Sequence, residues 1–118
     1  MLTGCRVLLA ETDYFVALEM TLSLQQAGAA VLGPVSSEDA ALGILLRDDV
    51  DLVIFNAELC KERVTLLPAW LAQQEVASMM VNDVELRSSD PLCQGRRQLL
   101  HPLRYPRFQK AVAELLER

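Results

Sequence analysis

The chain lacks most of the features that announce an activity. Its three cysteines, Cys5, Cys60 and Cys93, are too scattered for a disulfide framework or a metal-ligand spacing. Its glycines are not gathered into a phosphate-binding loop. No apolar run approaches the roughly eighteen residues that a membrane helix needs. The start, Met1 to Arg6, lacks the layout of a secretory signal. A net charge of −5 argues against an unaided grip on nucleic acid or an anionic membrane. There is no internal repeat, linker or low-complexity segment. What is left is 118 residues of which 52% are hydrophobic, enough for one domain, residues 1–118, with a real core. A reducing cytoplasm is the simplest setting for such cysteines.

Strand and helix patterns alternate along this chain. Cys5 to Ala10 predicts a first strand, and a helix follows from about Tyr14 to Ala27, capped by Asp13 or Thr12 and stopped at Gly28. That helix carries two apolar stripes, Phe15-Leu18-Leu22 and Val16-Met20-Leu24, wider together than one core-facing arc. A helix sunk deeply in a groove is the favoured reading, with a partner surface as the other. Ala29 to Gly33 is a second strand ending at Gly-Pro. A second helix is capped by Ser36 or Ser37, has Glu38 and Asp39 in its first turn, and buries Ala41, Leu42, Leu45 and Leu46.

The third strand is the most explicit element. Leu52 to Phe55 is an unbroken apolar run rich in β-branched and aromatic residues, the mark of a strand covered on both faces. Its tip, Asn56, then falls at the sheet rim where such folds place their sites. A loop from Ala57 to Leu66 leads to a helix begun by Pro68 and running to about Gln74, with Trp70 and Leu71 in the core. Val76 to Val81 predicts a fourth strand, and Gln98 to Leu100 a short fifth. Between them, Ser-Ser-Asp-Pro predicts a fourth helix that is brief or broken near Ser89. Phe108, Ala111, Val112, Leu115 and Leu116 give the last helix the clearest amphipathic spacing. Five strands alternating with helices predict an α/β fold, a parallel sheet with helices on both faces.

Taken together, Val-Leu-Leu-Ala-Glu11-Thr12-Asp13, Leu32-Gly-Pro34, Asp51-Leu-Val-Ile-Phe-Asn56, Met80-Val-Asn82 and Leu100-His101-Pro102 resemble the receiver domain of two-component response regulators. The likeness covers essentially the whole length. The Gly-Pro after the second strand and Pro68 before the third helix resemble one receiver subgroup. The resemblance implies a flavodoxin-like sandwich with strand order 2-1-3-4-5. It also implies a phosphoryl-transfer site: an aspartate ending the third strand, an acidic pair after the first that helps it hold Mg²⁺, a Ser or Thr ending the fourth, and a Lys before the proline after the fifth.

Each of those positions departs from the pattern. The phosphoacceptor position holds Asn56, an amide that forms no acyl phosphate. The acidic pair is Glu11 and Thr12, with Asp13 beside them; the hydroxyl position is Asn82 and the lysine position His101. With two carboxylates gone, Mg²⁺ binding is expected to be weak or absent, and no other cofactor is implied. The aromatic usual on the fifth strand is missing from Gln98-Leu99-Leu100.

The leading expectation is a degenerate, phosphorylation-independent pseudo-receiver. It would be a cytoplasmic module, not an enzyme, that works by protein–protein contact with a histidine kinase, another response regulator or a second copy of itself. Any output would pass through that partner, and neither nucleic acid nor membrane is expected to be one. Two alternatives remain: an active receiver phosphorylated on Glu58, Glu11 or Asp13, and a flavodoxin-like small-ligand binder. Cys60 is expected to be an inert loop thiol although Lys61 and Arg63 lie near it in sequence. His101 is expected to be an ordinary loop residue rather than a pH sensor. Arg96, Arg97, Arg104 and Arg107 form a basic cluster, expected as a solvated face.

Overall fold

The computed structural model describes residues 2–60, 66–93 and 95–117. Five strands form one parallel sheet: β1 (Arg6–Ala10), β2 (Ala30–Val35), β3 (Leu52–Phe55), β4 (Ala77–Asn82) and β5 (Arg97–Leu100). Their order is β2-β1-β3-β4-β5, the flavodoxin-like arrangement that the resemblance implies. β3 lies at the centre, and its four residues are all buried. Gly33, at φ +91°, shifts the β1–β2 register, and a side chain there would meet the Leu9 carbonyl at 2.9 Å.

Four helices cover the two faces: α1 (Tyr14–Gln26), α2 (Glu38–Arg47), α3 (Leu66–Gln73) and α4 (Tyr105–Leu116). Because side chains alternate along each strand, Val7, Leu9, Leu52, Ile54, Met79 and Val81 face α1 and α4, where Met20, Leu24, Phe108 and Val112 complete one core layer. Leu8, Val53, Phe55 and Met80 face α2 and α3, meeting Ala41, Leu45, Leu67 and Leu71.

Several boundaries and faces differ from the sequence expectation. Of the two stripes on α1, Met20 and Leu24 are buried and Val16 half-buried, whereas Phe15 is 74%, Leu18 42% and Leu22 51% exposed. The helix is therefore not sunk in a groove: the sheet and α4 cover one side of it only. On α2, Ser37 is the cap, Leu46 is 75% exposed, and Glu38 is buried in its place. A short 3₁₀ turn, Ala57–Cys60, follows β3; the remainder of the expected loop lies outside the described residues. α3 begins at Leu66, so Pro68 is its third residue, still within the first turn, whose N–H groups need no helical partner.

Between β4 and β5 no helix forms among the described residues; the segment is a run of turns. Arg96 holds it down. Its guanidinium donates to Ser78 Oγ at 2.7 Å on β4, to the Leu92 carbonyl at 3.1 Å and to the Pro68 carbonyl at 2.7 Å on α3, and stands 5.9 Å from the Phe55 ring centre. This residue is no part of a solvated basic face. Arg96→Met, similar in length but without donors, leaves two carbonyls and a hydroxyl short of a partner. We expect a loss of roughly 2–3 kcal/mol in urea unfolding; an unchanged midpoint would contradict this role.

Candidate functional site

β1, β3 and β4 end side by side at their carboxyl edges, and the polar residues predicted from sequence gather there. Glu11 follows β1 directly and is buried, as are Asn56 after β3 and Asn82 ending β4. A buried carboxylate is costly unless hydrogen-bond donors surround it. For Glu11 the donors are the Asn56 amide, with Nδ2 at 3.2 Å from Oε1 and 3.4 Å from Oε2, and the Asp13 N–H at 2.9 Å. The Thr12 hydroxyl lies at 3.5 Å. His101 Nε2 stands 3.9 Å from Glu11 Oε1, an ion pair only for the imidazolium form, and has no hydrogen-bond partner among the described residues.

Asn56 is engaged at both ends. While its Nδ2 donates to Glu11, its Oδ1 accepts the Glu58 N–H at 2.9 Å. A carboxylate only accepts and a backbone N–H only donates, so the amide has one workable orientation. Asn82 repeats the arrangement one strand on. Its Oδ1 accepts the Ala57 N–H at 2.9 Å, and its Nδ2 donates to Gln98 Oε1 at 3.1 Å. Gln98 then clips the β4–β5 segment, accepting the Leu86 N–H at 3.0 Å and donating to the Leu86 carbonyl at 2.8 Å. Asn82 thus joins the site through the backbone of the 3₁₀ turn.

Asp13, the acidic neighbour of the Glu11 and Thr12 pair, has structural work. Asp13, read from sequence as a possible pocket residue, turns its carboxylate to the start of α1, where Oδ1 accepts the Phe15 and Val16 N–H groups at 2.9 and 3.2 Å. Mg²⁺ asks for anionic oxygens free to approach octahedral geometry. Here the Glu11 oxygens, the Asp13 carboxylate and Asn56 Oδ1 already hold N–H donors, and the set does not fit that ion. Among the described residues no three carboxylate, imidazole or thiol groups converge on a metal position.

Sequence reasoning missed two polar residues with structural work, half-buried Gln98 and buried Glu38. The expectation for Gln98-Leu99-Leu100 is a short fifth strand without the usual aromatic, with no role for Gln98 itself. Leu99 packs in the α1–α4 core, so period-two alternation places Gln98 on the other covered face, where an amide needs partners. Glu38 was expected to serve its own helix. Instead its Oε2 accepts the Leu67 N–H at 3.0 Å near the start of α3 and the Cys60 S–H at 3.4 Å. Cys60 stands apart from the site. Burial, then the Glu38 charge and hydrogen bond, push its thiol up to about 12 against the opposing charge of Arg96. Lys61 and Arg63 lie outside the described residues. Burial also raises the Cys93 thiol.

Two measurements follow from this geometry. Asn56→Asp replaces a donor with a second carboxylate about 3 Å from Glu11, which we expect to lower stability by roughly 2–4 kcal/mol at neutral pH without Mg²⁺. Like charge makes the new group hold its proton more tightly folded than unfolded, so the loss shrinks as pH falls through the carboxylate range. A melting temperature unchanged or raised would count against the arrangement. At the alkaline end, Cys60 and Tyr105 keep their protons to about 12 in the fold, against ordinary values of 9.0 and 10.0. Tyr105 is raised by burial first and then by its hydrogen bond to Glu19. The folded state then binds more protons, so stability is full below about pH 9 and falls toward pH 12. Cys60→Ala should flatten that slope, and iodoacetamide should label half-buried Cys5 well before Cys60 or Cys93; equal labelling rates would refute the burial.

No protein-family model and no curated protein matches the chain. Solved structures do. SdrG from Pseudomonas melonis, in a BeF3-activated conformation, aligns with a TM-score of 0.81 at 22% identity over 99% of this chain and 100% of that one. A CheY-like response-regulator receiver domain from Methanospirillum hungatei gives 0.81 at 15% identity, covering 95% of this chain and 93% of the other. The response regulator TrrA from Thermotoga maritima, in complex with Mg²⁺-BeF, gives 0.82 at 14% identity, covering 95% and 99%. Identities this low carry the fold and leave the chemistry to the residues of this chain. The fold is that of response-regulator receiver domains.

Proposed function

We propose that the chain is a receiver-fold module of two-component signalling that takes no phosphoryl group, catalyses nothing itself and acts by contact with other proteins in the cytoplasm. The observation that carries the proposal is the state of Asn56. At the position where the resemblance implies a phosphoacceptor, the side chain is a neutral amide whose two ends are held by Glu11 and the Glu58 N–H. Phosphoryl transfer to this fold needs a carboxylate nucleophile and a cation clamp. Neither need is met by an amide, an oriented glutamate and an aspartate that caps a helix.

The wider network supports the same reading. In receivers, a hydroxyl at the end of the fourth strand and an aromatic on the fifth report phosphorylation to the outer surface. Here the hydroxyl position is Asn82 and the fifth strand reads Gln98-Leu99-Leu100; Asn82 donates to Gln98 at 3.1 Å, and Gln98 accepts the Leu86 N–H at 3.0 Å. Such a chain of amides holds one arrangement rather than two. SdrG and TrrA carry beryllofluoride in their solved forms, whereas the Glu11, Asp13 and Asn56 side-chain oxygens here already accept N–H groups. What the fold retains is surface: the outer stripe of α1, and exposed Arg104 and Arg107 beside β5. A histidine kinase, another response regulator or a second copy of the chain is the class of partner that such surfaces meet.

Incubation with acetyl phosphate and Mg²⁺ followed by intact-mass measurement tests the proposal. The expected result is no phosphoryl adduct. A stoichiometric adduct mapped to Glu58, Glu11 or Asp13 would overturn it in favour of an active receiver with a displaced acceptor.

A further inference from the structure

α1 carries the largest unpartnered apolar face among the described residues. Tyr14 and Phe15 are 72% and 74% exposed and stack edge to face with ring centres 5.5 Å apart. Leu18 and Leu22 continue the row at 42% and 51%. Phe15, Leu18 and Leu22 stand at spacings of three and four residues, a straight seam about 10 Å long. Together the four side chains leave on the order of 450 Å² of apolar surface in water. That lies in the upper part of the ~300–600 Å² patch typical of a monomer. It is also more than half of the ~800 Å² that each partner contributes to a standard interface.

The flanks say what covers it. α1 has no acidic residue in its first turn and no basic residue in its last, and Thr21, Gln25 and Gln26 beside the seam are neutral. Its one charged residue, Glu19, accepts the Tyr105 hydroxyl at 3.1 Å on the side facing α4. Apart from Asp13, which caps the helix at the Phe15 end, a charged partner surface would find no opposite charge along this seam and would lose hydration without return. A second copy of the same seam is apolar where this one is apolar and neutral where it is neutral.

We propose that α1 is a homodimer interface in which two copies of the helix pack antiparallel about a two-fold axis near Leu18. Phe15 of each copy then reaches Leu22 of the other, Leu18 meets its counterpart, and Tyr14 closes each end. A two-fold axis makes the contact self-complementary and closed, so it ends at two chains. The axis also leaves Arg104 and Arg107 free for a different protein. The inference rests on the reading of the chain as a contact module and names one of its partners.

Sedimentation velocity of the full chain across the micromolar range tests it. The expected result is a monomer–dimer equilibrium, weakened at least tenfold by Phe15→Glu or Leu18→Glu, which set carboxylates against the seam. Both sites are exposed, so circular dichroism should match the parent, and Arg104→Glu should leave the dimer unchanged. A chain that stays monomeric throughout overturns the interface. So does a dimer broken by Arg104→Glu and indifferent to Phe15→Glu, or a seam shown to be filled instead by a helical bundle of another protein. The phosphodonor measurement fails separately: a monomer without adduct removes the second copy and leaves the module reading standing, whereas a phosphorylated dimer does the reverse.

Discussion

A buried hydrogen bond between the Asn56 amide and the Glu11 carboxylate decides what the strand tips can do. Glu11 is out of water, and a lone charge there would be costly. Asn56 stabilises it with one donor and the chain's own turn supplies another through the Asp13 N–H, 2.9 Å away. That arrangement frees the Asp13 carboxylate to cap α1, the helix whose outer seam is the largest apolar surface among the described residues. The strand-tip cluster thereby becomes a joint between β1, β3 and α1. The position that the resemblance assigns to a phosphoacceptor holds hydrogen bonds that tie these elements together.

The same logic extends along the sheet. Asn82 and Gln98 pass a second set of amide bonds from the 3₁₀ turn after β3 to the backbone of Leu86. The Asn82 and Gln98 amides have their orientations set from both ends by the backbone of Ala57 and of Leu86. The segment between β4 and β5 consequently needs no helix of its own. Gln98 clips it near its start and Arg96 near its end, and Leu86, Leu92 and Cys93 fill the sheet face beneath.

How much of this is legible in the sequence depends on whether a feature is local. β3 is plain, because four consecutive apolar residues with β-branched and aromatic side chains have few other uses. The caps are local too, but only as pairs, Asp13 or Thr12 and Ser36 or Ser37; the backbone selects Asp13 and Ser37. Strand order is not local, and it came with the resemblance rather than from periodicity. The two stripes of α1 have equal claims on the core when seen alone; only the position of the sheet and α4 buries Met20 and Leu24 and leaves Phe15 in water. Leu46 and Glu38 exchange their expected burial because the start of α3 needs an acceptor that lies 29 residues away in sequence. The site residues were legible as strand tips, whereas their pairing is a fact of three dimensions. Gln98 was visible and undervalued: a polar residue alternating with a core leucine signals a buried partner as much as a missing aromatic.

The most direct measurement of the central claim is a titration of the labelled chain with Mg²⁺ and beryllofluoride, watching the side-chain amide resonances of Asn56, Asn82 and Gln98. If those amides are held as described, their signals stay in place at concentrations that saturate a working receiver. A saturable shift at Asn56 that spreads through Asn82 to Gln98 and the Leu86 backbone would show a pocket that still binds and still reports, and would contradict the claim.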